Sequence, residues 1–172
     1  RICFLHFIII LLLISGSCSI LSAEEYPFTM LRSYRITGLI PDINDGYGVS
    51  FRDFNRDGYA DIYLVSFRNL NRMLINNGGI IPFIDRTMRS GLGGYLMSHG
   101  KTNLELGVST ADYDNDGLPD VFLSGWGKTH RLFRNRGRLN FEDVTSNLNA
   151  AGLLDINQGL WIDVNNDGYL DL

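Results

Sequence analysis

One nine-residue phrase occurs three times in this chain, and a repeat of that kind limits the fold more than any local propensity does. Asp53-Phe54-Asn55-Arg56-Asp57-Gly58-Tyr59-Ala60-Asp61 returns as Asp112-Tyr113-Asp114-Asn115-Asp116-Gly117-Leu118-Pro119-Asp120 and as Asp163-Val164-Asn165-Asn166-Asp167-Gly168-Tyr169-Leu170-Asp171. The copies start 59 and then 51 residues apart. The likeness runs past the phrase itself. Gly48-Val49-Ser50 and Gly107-Val108-Ser109 precede the first two copies at the same offset, and Ile62-Tyr63-Leu64-Val65 and Val121-Phe122-Leu123-Ser124 follow them. Asn71 to Gly78 aligns with His130 to Gly137, Phe83-Ile84-Asp85-Arg86-Thr87 aligns with Phe141-Glu142-Asp143-Val144-Thr145, and the units close on Gly91-Leu92 and Gly152-Leu153.

Within each unit the apolar runs are four to six residues long, rich in Val, Ile, Phe, Tyr and Leu, and separated by Gly, Asn and Asp. Such runs read as short antiparallel strands. Outside the N-terminal leader no window holds a helical period over three turns; Leu148 to Leu154 could form a turn or two. A unit of about 50 to 60 residues with about four strands predicts an all-β chain of β-propeller blades, whose radial repetition protects the strand edges. The units span about 40–92, 93–153 and 154–172, the third incomplete. Two and a half units are too few to close a ring, so the expectation is a partial propeller. The start at Arg1 and the stop at Leu172, inside a strand-like pattern, read the same way.

The repeated phrase is also a ligand pattern, Asp-x-(Asp/Asn)-x-Asp-Gly-x-x-Asp. It sets oxygen donors at positions one, three, five and nine, with a glycine at six to allow a sharp reversal. Ten of the nineteen acidic residues lie in these three windows. Without a cation each loop would crowd several carboxylates together. A flexible, carboxylate-rich cage completed by a backbone carbonyl at position seven suits Ca²⁺ better than Mg²⁺. With no Cys or His, the loops do not read as zinc or copper sites. An Asp-Gly hairpin turn with solvated flanking acids would account for one copy, but less well for three with the same donors. An EF-hand shares the spacing but needs a bidentate Glu at position twelve, where this chain has Leu64 and Leu123.

These residues resemble the FG-GAP/VCBS repeat family, which includes the calcium-bearing blades of integrin alpha-chain propellers, over about residues 34 to 172. The resemblance implies a fragment of a larger, seven-bladed propeller with one Ca²⁺ per acidic loop. It assigns as ligands Asp53, Asn55, Asp57 and Asp61; Asp112, Asp114, Asp116 and Asp120; and Asp163, Asn165, Asp167 and Asp171, with Tyr59, Leu118 and Tyr169 giving main-chain carbonyls. Phe141 to Thr145 with Gly152-Leu153 most resembles bacterial exported members. Asn55 and Asn165 depart from an Asp at position three, and Arg56 adds a positive charge, so the first loop is expected to bind more weakly than the second.

The N-terminus carries a different signal. Ile2 to Ile14 is apolar except for His6, behind Arg1 and ahead of Ser15-Gly16-Ser17-Cys18-Ser19. That is the layout of a secretory signal peptide over residues 1–23, cut after Ala23, and the run is short of the roughly 20 residues a membrane span needs. A lipoprotein-type cut before Cys18 is the weaker alternative. Both cysteines, Cys3 and Cys18, lie in this leader, so the mature segment 24–172 would be held together without disulfides. The expected location is secreted: extracellular, periplasmic or at the cell surface. A net charge of −4 gives no positive field for a phosphate backbone and argues against nucleic acid as a partner.

Catalysis finds little support. His130 aligns with Asn71, a variable repeat position, and His99 lies in a Gly-rich stretch from Gly91 to Leu106 that reads as an extended loop. Ser109 and Ser124 have no nucleophile-elbow setting. Trp126 and Trp161 read as blade-packing aromatics, with sugar stacking as the alternative. The expectation is a non-catalytic, calcium-binding module for protein or carbohydrate binding or adhesion. The alternatives are the scaffold of an extracellular polysaccharide lyase or hydrolase, or the sensor domain of a membrane receptor, with any membrane tether outside this segment.

Overall fold

The computed structural model describes residues 46–78, 83–94, 104–127, 129–148 and 155–172, all within a compact unit running from Asp42 to Leu172. The leader, His99 and the Gly152-Leu153 ending lie outside the described residues. Two four-stranded antiparallel sheets follow one another along the chain, each in the order in which its strands occur. The first contains β1 (Gly46–Arg52), β2 (Asp61–Ser66), β3 (Arg72–Ile75) and β4 (Ile84–Asp85). The second contains β5 (Glu105–Ala111), β6 (Asp120–Gly125), β7 (Arg131–Asn135) and β8 (Phe141–Asp143). Helical structure among the described residues is a single turn at Thr87–Ser90 and a 3-10 turn at Thr145–Asn147.

The two sheets are copies down to their irregularities. Arg52 pairs with Asp61 and Ala111 with Asp120, and each first strand breaks register two residues from its start, between Gly46 and Gly48 and between Glu105 and Gly107. The third unit repeats the same pair as an isolated bridge between Ile162 and Asp171. Strand β1 lies against β5. The repeated glycine of the Gly-Val-Ser triplet is what lets the backbones meet: a Cβ on Gly48 would sit 3.2 Å from Gly107 Cα, and one on Gly107 would sit 2.6 Å from the Asn157 carbonyl oxygen.

Strands β2 and β6 are buried along their whole length, so each is covered on both of its faces. Alternation sorts their side chains into two layers. Tyr63 and Val65 of β2 with Met73 and Ile75 of β3 share one core with Val108, Val121, Leu123 and Phe133 of the second sheet. The opposite face of the second sheet, Phe122 and Leu132, packs against Ile156 and Trp161 of the third unit. Face-to-face stacking of successive four-stranded sheets is the packing of propeller blades.

Polar groups tie the same interface. Asn135 Nδ2 donates to the carbonyls of Phe54 and Pro119, both at 3.1 Å. Tyr63 donates its hydroxyl hydrogen to the Leu92 carbonyl at 2.8 Å, and Asn71 Nδ2 reaches the buried Glu105 carboxylate at 2.6 Å. Trp161 stacks on Tyr113 with ring centroids 5.8 Å apart and planes at 7°, a packing role. Trp126 meets Phe67 edge-on at 5.5 Å yet stays 47% exposed.

Phe54 joins the loop to this core. It is fully buried and packs edge-on against Phe141 of the second sheet at 6.1 Å. Phe54→Ala should therefore cost about 3–5 kcal/mol through the cavity it leaves, read as a lowered midpoint in urea unfolding with little change in slope.

Candidate metal loops

Each acidic phrase forms the turn between the first two strands of its unit, so the three loops lie at the same end of successive blades. The sixth residue reverses the chain in the left-handed region, with φ of 90°, 82° and 88° at Gly58, Gly117 and Gly168. A side chain there would be strained, which is why the pattern requires glycine.

The ninth-position aspartate closes the loop onto the sheet. Asp61 is fully buried; its Oδ2 accepts the Phe54 amide and its Oδ1 the Asn76 amide, both at 2.9 Å. Asp120 does the same for Tyr113 at 3.2 Å and Asn135 at 2.8 Å. Asp171 accepts the Val164 amide at 3.1 Å. One carboxylate thus binds the second residue of its own loop and, in the two full blades, the end of the third strand. Burial raises both Asp61 and Asp120 to a pKa of about 6, against the lowering effect of those amides.

The remaining donors behave differently in the three copies. In the first loop Asp53 accepts the Asp57 and Gly58 amides at 3.0 and 2.8 Å, and Asn55 Nδ2 donates to Asp57 Oδ2 at 2.8 Å. The third loop copies this with Asp163, Asp167, Gly168 and Asn165. In both, the amide of the third residue satisfies the fifth carboxylate from inside. The second loop has Asp114 at that place, which cannot donate. Oxygens of Asp112, Asp114 and Asp116 converge within 4.8 Å of one another. Asp112 Oδ2 accepts the Gly117 amide at 2.7 Å, while Asp112 Oδ1 is buried with no hydrogen-bond partner among the described residues.

A cation of the protein's own partly offsets this crowding. The Arg134 guanidinium pairs through Nε with Asp114 and through Nη2, at 3.3 Å, with Asp116. The Leu118 amide, with Arg134 beside it, holds the Asp116 carboxyl below the usual carboxylate range. The Gly168 amide does the same for Asp163. Arg56 turns away from its own loop and donates to the Gly117 and Asp116 carbonyls at 2.9 and 3.2 Å. Its charge therefore lies at the second loop rather than the first. A cleft of about 440 Å³ opens beside Asp53, Asp112, Asn115, Gly117 and Leu170.

The three-carboxylate convergence is thus made by Asp112, Asp114 and Asp116, while the ninth-position residues serve the sheet and Tyr59, Leu118 and Tyr169 donate their amides to the fifth-position carboxylates. Arg134 escaped the sequence reading because its repeat counterpart is Ile75, so periodicity carries no signal for it. Asn76 and Asn135 did carry one, since they occupy the same place in both units.

The FG-GAP-like repeat family matches residues 53–123 and 112–172, so its matches cover the phrase in all three copies. The chain belongs to this family, and its two described sheets are propeller-type blades. No curated protein matches the chain.

The buried ninth-position acids set a pH dependence for the metal-free protein. Their folded pKa of about 6 exceeds the ordinary 3.8, so between these values the folded chain holds more protons than the unfolded one. The stability they contribute is complete below pH 3.8 and is lost as pH rises through about 6. Each carboxyl accounts for an order of 2–3 kcal/mol. After metal removal, urea unfolding at stepped pH should give a midpoint that falls from pH 4 to 6, and Asp120→Asn should flatten that fall.

Proposed function

We propose that this chain is a calcium-stabilised propeller module of an exported protein, non-catalytic itself, which offers its blade faces to a protein or carbohydrate ligand. The observation that carries the calcium reading is the second loop: carboxylate oxygens of Asp112, Asp114 and Asp116 within 4.8 Å of one another, with Asp112 Oδ1 buried and unpartnered among the described residues. Oxygen donors alone, on a flexible turn, suit a hard cation of calcium's size. Asp112, Asp114 and Asp116 would hold it, and the ion would supply the positive charge that Arg134 now supplies in part. Asn55 and Asn165 leave the flanking loops with fewer carboxylates, which fits weaker binding there. Export rests on the apolar leader, and ligand binding on the chain's membership of the FG-GAP-like repeat family.

Metal-stripped full chain titrated with CaCl₂ should bind up to three ions, respond little to MgCl₂ and melt higher by the amount that mass action dictates, about 2.7 kcal/mol at a hundredfold excess over Kd. Asp112→Asn should weaken the tightest site about tenfold or more. Arg134→Gln should do the reverse, tightening that site severalfold by removing a competing cation. A folded chain that takes up no Ca²⁺ would refute the calcium reading.

A further inference from the structure

The three loops touch one another through a position that the ligand pattern leaves blank. The fourth residues, Arg56, Asn115 and Asn166, all lie in the left-handed region, with φ of 61°, 59° and 60°. For Arg56 and Asn115 the side chain reaches the following loop. Arg56 Nε donates to the carbonyl of Gly117, the sixth residue of the second loop, at 2.9 Å. Asn115 Nδ2 donates to the carbonyl of Gly168, the sixth residue of the third, at 3.2 Å. The same donor position meets the same acceptor position at both junctions.

The accepting peptide is held from its other side by a candidate ligand. Leu118 and Tyr169 each donate the amide of that peptide to the fifth-position carboxylate of their own loop, Asp116 and Asp167, at 2.9 Å. One peptide plane therefore has its N–H on a candidate cation ligand and its C=O on the neighbouring blade. The Arg56 guanidinium lies close over Gly117, where a Cβ would fall 1.7 Å from its Nη2 and displace it. The two junctions differ in charge. Arg56 brings a cation toward the second loop, which opposes a bound metal there, whereas Asn115 is neutral.

We propose that Asn115 is an inter-blade clasp that couples the second and third loops, so that a cation in the third raises the affinity of the second. This rests on the calcium reading above. An ion in the third loop fixes Asp167, Asp167 fixes the peptide between Gly168 and Tyr169, and that carbonyl fixes Asn115, which lies between two ligands of the second loop. The coupling is reciprocal, as any linkage between two binding equilibria must be. Asn115 ligates nothing in this scheme; it is a positioning residue.

A double-mutant cycle on the full chain tests the clasp, with the Gly117 amide resonance following the second loop during CaCl₂ titration. Asp163→Asn disables the third loop while keeping an oxygen for the Gly168 amide, and Asn115→Gly removes the clasp while keeping the left-handed backbone. In the wild-type background Asp163→Asn should weaken Ca²⁺ binding at the second loop about fivefold, the worth of one exposed hydrogen bond. In the Asn115→Gly background it should change nothing. An effect of Asp163→Asn that is absent in the wild type, or that persists without the Asn115 side chain, overturns the clasp and leaves the calcium reading standing. No Ca²⁺-dependent shift at Gly117 in any variant overturns both.

Discussion

A buried carboxylate bonded to two backbone amides is the interaction on which each described blade depends. Asp61 and Asp120 accept from the second residue of their own loop and from the residue ending or following the third strand. That one group sets where the loop leaves the sheet and where the outer strand stops. It also carries a cost, since a desolvated carboxylate surrounded by further acids prefers its proton. The fold accepts this cost because an unpaired amide in the same buried place would be expensive as well. Phe54 benefits directly, its amide held by Asp61 and its ring pressed into the core shared by the two sheets.

From that fixed point the loops solve one electrostatic problem in two ways. Where the third residue is asparagine, its amide donates to the fifth carboxylate and the loop is satisfied from within. Where it is Asp114, the loop gathers three carboxylates and draws Arg134 from β7 to answer them. A single substitution thus separates a self-satisfied polar turn from a cluster of three carboxylates that could hold a metal ion. The guanidinium answers them only in part, because Asp112 Oδ1 has no donor among the described residues. A spherical ion reaches all three side chains at once; a planar guanidinium reaches two.

Most of the fold was legible in the sequence because repetition is a stronger signal than propensity. The strands at Asp61–Ser66 and Asp120–Gly125, their turn chemistry and the four-strand unit followed from aligning the copies. The Gly-Val-Ser triplet was visible as a repeat, but its reason, backbone contact between β1 and β5, needed three dimensions. The acidic turns were legible by type and spacing; which carboxylate bonds to which amide was not. Nothing in the spacing separates Asp120, which holds the sheet, from Asp112, which faces the other acids. Residues that act between blades were the hardest to find. Arg134 stands where the first unit has Ile75, and Arg56, read as a charge on its own loop, acts on the next one.

Whether the second loop holds a metal decides what its three carboxylates are for, and anomalous diffraction from crystals grown with Ca²⁺ is the most direct way to find out. The predicted result is a peak about 2.4 Å from oxygens of Asp112, Asp114 and Asp116, with Arg134 withdrawn from both of its partners. A map with no peak there, and Arg134 still seated on Asp114 and Asp116, would mean that the arginine is the loop's own counter-ion and that the repeat is built from turns alone.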